Sequence, residues 1–128
     1  FPFQKQNSKN IIYIGSAGGW SKPSTGYTFK NIERKTKTLL KFLKQNDDFK
    51  KYSKRTRFWF YDLIFLDVLY HNNHLGRKLF TQMFKNNHPK LIFKFLDEKT
   101  NLLEEIKIMS SFSTGIFLKT IYKRLFNL

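Results

Sequence analysis

The chain has 128 residues, enough for one domain or part of one. It contains no cysteine, which excludes a disulfide framework, a thiolate nucleophile and a cysteine-ligated metal. Its 24 Lys and Arg against 9 Asp and Glu give a formal charge of +15, a balance suited to nucleic acid or to an anionic membrane surface.

Phe1-Pro2-Phe3 opens the chain without an initiator methionine and without a basic-then-apolar leader pattern, as if from inside a longer sequence. Residues 10–15, centred on Ile11-Ile12-Tyr13-Ile14, read as a buried strand. Gly15 to Phe29 follows and holds four of the six glycines. Glycine removes the Cβ that would keep a ligand from the backbone. The first N–H groups of a helix behind such a loop favour negative charge. Pro23 gives a rigid point, and Ser24 or Thr25 is a candidate helix cap. From Gly26 to Gln45 the spacing predicts a helix with Phe29, Ile32, Thr36, Leu39, Leu40 and Leu43 in one stripe.

Asn46-Asp47-Asp48 interrupts the pattern, and residues 49–57 are basic through Lys50, Lys51, Lys54, Arg55 and Arg57. Residues 57–71 form the most apolar helix, yet Asp62 and Asp67 break it, so no window reaches the ~18 apolar residues of a membrane span. His71-Asn72-Asn73-His74 has i, i+3 histidines but no carboxylate beside them, and reads as a solvated turn. Further helices are predicted from Leu75 to Phe84 and from Pro89 to Leu96. Another runs from a Thr100 cap to about Met109, with Glu104 near its start. Ser113 or Thr114 opens the last helix, Ile116 to Phe126, whose basic side faces an apolar one of Phe112, Ile116, Phe117, Ile121, Leu125 and Phe126. The 15 phenylalanines fall mostly at helical spacing, which favours core or lipid contact over base stacking.

A lone strand leaves its backbone groups unpaired, so a strand at 10–15 calls for a sheet supplied by sequence before Phe1. The expected fold is therefore α/β: one strand and a glycine-rich loop, then a mainly helical segment, as the C-terminal fragment of a larger fold. The division falls at 46/47, with residues 1–46 ending a cofactor-binding domain and residues 47–128 forming a helical segment.

Gly15–Phe29, with its Gly-Ser-Ala-Gly-Gly and Pro-Ser-Thr-Gly-Tyr elements, resembles the second flavin-contacting segment of lycopene cyclases. The stretches Phe58-Trp59-Phe60-Tyr61-Asp62-Leu63 and Phe93-Lys94-Phe95-Leu96-Asp97-Glu98 resemble the helical C-terminal part of the bacterial β-cyclases. The resemblance implies an FAD/NAD(P)-binding flavoprotein fold. It implies reduced FAD with NADPH as reductant, and conversion of the ψ end groups of lycopene to β-ionone rings, through γ-carotene to β-carotene, by acid–base chemistry without net redox change. Gly15, Ala17, Gly18 and Gly19 match the loop that passes the flavin ribityl and pyrophosphate. Ser16 stands where related hydroxylases often carry an aspartate on the ribityl hydroxyl. Pro23, Ser24, Thr25, Gly26 and Tyr27 match the turn on the isoalloxazine side, and Trp20 and Lys22 lie beside it.

Two parts of the family pattern are missing. No Gly-x-Gly-x-x-Gly follows a strand, so the ADP-binding fingerprint is not in these residues. Phe95-Leu96-Asp97-Glu98-Lys99-Thr100 looks like the family's acidic Phe-Leu-Glu-Glu-Thr motif but lies on the wrong side of Pro-Ser-Thr-Gly-Tyr. It reads as a helix end before a capping threonine, and no catalytic residue is assigned. The expected partners are lycopene and related carotenoids, with peripheral contact to an anionic membrane from the cytoplasmic side and no nucleic acid. This chain alone is expected to be inactive. The alternatives are a flavin monooxygenase fragment and a basic helical module that binds membrane or nucleic acid without catalysis.

Overall fold

The computed structural model describes residues 6–52, 56–112 and 114–126, and every regular element in them is helical. The elements are α1 (Phe29–Leu43), α2 (Arg57–His71), α3 (Gly76–Asn86), α4 (Pro89–Leu96), α5 (Leu102–Ser110) and α6 (Thr114–Leu125), with 3-10 turns at Phe49–Lys51 and Asn73–Leu75. The α/β expectation is thus corrected: the described residues contain no strand. The physical reason lies in the backbone partners of residues 10–15. A strand needs a neighbouring ladder, and none is offered. Instead the Tyr13 N–H donates to Asn7 Oδ1 at 2.9 Å, and the Ile14 carbonyl accepts from the Gly18 N–H at 3.2 Å. Ile11 and Ile14 consequently stand 53% and 56% exposed rather than sandwiched.

The chain divides into two units, Phe1–Phe60 and Tyr61–Leu128. In the first, Trp20 and Phe58 are the buried large side chains. Helix α1 faces this unit with polar groups. Asn31 is buried, and Lys35 Nζ donates to the Gly19 carbonyl at 2.7 Å. The Tyr52 hydroxyl donates to the Lys35 carbonyl at 2.8 Å, and its ring meets Phe42 edge-on. Of the apolar stripe read from the sequence, Phe29, Ile32, Leu40 and Leu43 stand exposed. The Gly19 carbonyl that the loop presents selects a donor, Lys35, as its partner on α1. The first turn of α1 starts later than expected, behind Thr28 rather than Ser24 or Thr25.

The second unit has an apolar core of Leu63, Ile64, Val68, Leu79, Met83, Ile92, Leu96, Ile108 and Phe112. Phe65 gathers the rings of Phe80, Phe112 and Phe117 around it. Gly76 starts α3 where a Cβ would come 3.2 Å from Leu69 Cδ2, so helices α2 and α3 approach closely there. Pro89 begins α4 behind His88, whose Nδ1 accepts from the Lys90 N–H. Helix α4 ends in a left-handed residue, Glu98 at φ 60, with the Lys99 N–H on the Lys94 carbonyl and the Glu98 N–H on the Phe95 carbonyl. Helix α5 is capped by Asn101 rather than Thr100. The Asn101 side chain accepts from the Glu104 N–H, and Glu104 accepts from the Asn101 N–H, both at 2.9 Å. No helix among the described residues is long and apolar enough to cross a membrane.

Candidate functional site

The ten loop residues singled out in the sequence form two consecutive closed turns. In the first, Gly15 sits at φ +59 and its carbonyl accepts from the Trp20 N–H at 2.8 Å. Inside it the Gly19 N–H reaches the Ser16 carbonyl at 3.0 Å, with Ala17 exposed at the tip. The turn is so tight that a Cβ on Gly18 would lie 2.0 Å from the Tyr13 carbonyl oxygen. In the second, the Lys22 carbonyl accepts from the N–H groups of Thr25 and Gly26, and the Lys22 N–H closes the ring on the Tyr27 carbonyl at 3.0 Å. Pro23 and Ser24 form its outer edge, and Gly26 takes φ +70. The hydroxyls of Ser16 and Ser21 meet at 3.2 Å and tie one turn to the other.

Two features face outward. Nothing lies within 4 Å of the Cβ positions of Gly15 or Gly26, so the bare Cα atoms border open space. The N-terminus of α1 has no side-chain cap and no acidic residue in its first turn, because the Thr28 hydroxyl donates to the Gly26 carbonyl instead. That leaves a helix end whose positive partial charge is not offset locally. Beneath the loop lie Trp20 and Lys22, both buried, with the Lys22 ammonium 5.9 Å from the centre of the Phe58 ring. Arg57 covers the same ring at 4.7 Å. The sequence flagged Trp20 and Lys22 only as neighbours of the turn. The burial of Trp20, the approach of Lys22 to Phe58 and the Lys35 contact to Gly19 depend on pairings too distant in the chain for local spacing to show.

The acidic residues considered in the sequence separate. Asp62 is buried in α2, while Asp67 is half-buried and bonds Arg124 of α6; Arg55 lies outside the described residues. Asp97 and Glu98 belong to the end of α4. A carboxylate not singled out in the sequence, Glu105, is the most enclosed of the acids in the core, at 1% exposed. It accepts from the Tyr61 hydroxyl at 3.0 Å and the Thr100 hydroxyl at 3.1 Å. Its position three residues before buried Ile108 put it on the inward side of α5, a signal the spacing did carry. His71 stands exposed beside Tyr70, and no group of three His, Asp or Glu among the described residues is arranged to hold a metal ion.

No curated protein and no solved structure matches this chain. A family model described as lycopene cyclase protein matches residues 2–121. The match takes in both closed turns, helices α1 to α5 and the greater part of α6. On a match of that extent the chain belongs to the lycopene cyclase family, which gives it a carotenoid cyclase role with a carotenoid as substrate.

Proposed function

We propose that this chain is part of an FAD-dependent lycopene β-cyclase that closes the ψ end groups of lycopene into β-ionone rings. Family membership over residues 2–121 is the observation that carries this reading. The reaction isomerises the substrate: a proton adds to the terminal double bond, the ring closes on the resulting cation, and a proton leaves.

The residues of the loop fit a flavin by their chemistry. Gly15 and Gly26 border open space with no Cβ, which is what close approach of a cofactor to the backbone requires. The uncapped start of α1 favours an anionic edge. The N–H groups of Gly18, Gly19, Trp20 and Gly26 are already spent inside the loop, so holding falls to other groups. These are the Ser16 hydroxyl, the bare glycine Cα atoms and the first turn of α1. Bound in its reduced state, with NADPH as reductant, the flavin supplies negative charge beside a cationic transition state. Trp20 and Phe58 are buried in the same unit as the loop, and Lys35 anchors the Gly19 carbonyl of the first turn.

The protein is proposed to work on the cytoplasmic side, in peripheral contact with an anionic membrane that holds the carotenoid. The test is expression of the complete protein that contains this chain in lycopene-accumulating cells, with carotenoids separated by chromatography. Appearance of γ- and β-carotene is the expected result, lost in Gly26→Val. Unchanged lycopene, or oxygen consumption with NADPH and an oxygenated product, would refute the cyclase reading.

A further inference from the structure

Helix α6 is apolar on two sides, and only one of them is used inside the second unit. Phe117 packs at a tilt against Phe65 and Phe112, and Arg124 bonds Asp67, so this side faces the core. Ile116 and Ile121 are half-buried with it. The other side carries Leu118, Tyr122, Leu125 and Phe126, which are 63%, 56%, 66% and 61% exposed. These four share one face by i, i+4, i+7, i+8 spacing. Lys119 and Lys123 stand exposed along its edge, and α6 has no acidic residue.

The charge around this face has one sign. Among the described residues 61–126, every charged side chain that stands exposed is a lysine or an arginine. The six carboxylates of this unit are withdrawn: Asp62 and Glu105 are buried, Asp67 is bonded to Arg124, Glu104 is held by Lys94 and the Asn101 N–H, and Asp97 and Glu98 are half-buried. The exposed stripe of α1 differs, because the exposed carboxylate Glu33 lies beside Ile32 on that helix.

We infer that Leu118, Tyr122, Leu125 and Phe126 form the membrane-inserting face of α6, with Lys119 and Lys123 meeting anionic lipid headgroups. An apolar stripe edged by lysines and free of acids is the pattern of a helix lying in the bilayer interface. A tyrosine at its middle suits the headgroup boundary. The inference rests on the proposed membrane contact and names the surface that makes it, which keeps Leu125 and Phe126 of the apolar side read from the sequence and has Leu118 and Tyr122 in place of Ile116, Phe117 and Ile121.

The experiment is flotation of the full protein with vesicles of phosphatidylcholine alone or mixed with phosphatidylglycerol. The parent is expected to float with the mixed vesicles. The double variant Leu118→Glu, Leu125→Glu is expected to lose at least tenfold in binding, and Leu40→Glu in α1 to stay within twofold of the parent. These 128 residues contain no cysteine, so Leu118→Cys adds the one site within them for a polarity-sensitive dye. Its emission is expected to shift to the blue on the mixed vesicles, while the same dye at Leu40→Cys stays put. A double variant with parental circular dichroism and parental flotation would overturn the surface assignment alone. A parent that floats with neither vesicle, or that binds single-stranded RNA in preference to both, would overturn the membrane contact itself.

Discussion

Replacing Gly18 with alanine tests whether the loop geometry is real. The added Cβ would stand 2.0 Å from the Tyr13 oxygen, 2.6 Å from its carbonyl carbon and 3.0 Å from the Ile14 Cα. All three are backbone atoms, so no side chain can swing aside. Ordinary contact begins near 3.4 Å, and the Tyr13 peptide must therefore retreat by more than an ångström. That movement opens the Gly18 to Ile14 bond at 3.2 Å and drags on the Trp20 to Gly15 bond at 2.8 Å. Overpacking costs about 1–3 kcal/mol, and each lost backbone bond about 0.5–1.5 kcal/mol, which together give roughly 2–5 kcal/mol. Gly15→Ala is the control. Its Cβ meets nothing, and only the left-handed φ of +59 costs it, at about 1–2 kcal/mol. Both tryptophans, Trp20 and Trp59, belong to the Phe1–Phe60 unit, so tryptophan emission during urea unfolding reports on that unit. The midpoint is expected to fall furthest for Gly18→Ala, with a red shift of buried Trp20 before denaturant is added. A Gly18→Ala midpoint equal to or above that of Gly15→Ala, with parental emission, would refute the reasoning.

Glu105→Ala should cost about 2–4 kcal/mol, since it leaves the Tyr61 and Thr100 hydroxyls without their acceptor inside the core. Glu105→Gln keeps an acceptor and should lose less than half as much in thermal unfolding, and equal losses would show that the hydroxyls are not what matters. Glu98→Gly should stabilise by about 1 kcal/mol, because the left-handed end of α4 at φ 60 then carries no Cβ penalty; an unchanged melting temperature counts against it. The Lys94 hydrogen bond, and then the Asn101 backbone N–H, hold the Glu104 carboxyl below the ordinary glutamate range. A depressed folded value means this contribution is present at neutral pH and fades as the pH falls below that range through the folded value. Stability measured from pH 7 downward should therefore decline less steeply for Glu104→Gln, and parallel curves would remove Glu104 from the acid limb.

The helices were legible where a local signal is unambiguous. Pro89 sets the start of α4, the apolar run before Tyr70 marks α2, and the Phe95–Glu98 segment ends a helix as its position suggested. The strand was not legible, because four apolar residues at 11–14 satisfy a strand pattern and a loop equally well, and the choice is made by pairing partners. Which side of α1 and of α6 turns inward was not legible for a related reason. In α1 the carbonyl of Gly19 selects Lys35, and in α6 Phe65 and Phe112 select Phe117 over Leu118. Those selectors sit far along the chain, where periodicity within one helix cannot see them. The glycine loop was different. Its demand for Gly15, Gly18 and Gly26 is local, imposed by backbone angles and by one carbonyl, so it stands in the sequence almost as it stands in space.

The joint between the end of α3 and the end of α5 is made of side-chain amides. Asn86 Nδ2 donates to the Ser111 carbonyl, and Asn87 Nδ2 to the Ser111 hydroxyl, each at 2.6 Å. Asparagine amides hydrolyse slowly to carboxylates, and that change replaces a donor with an acceptor. At Asn86 it would set a carboxylate against a carbonyl oxygen, with no proton between them. Molecules one mass unit heavier at Asn86 would therefore be expected to hold this joint less tightly.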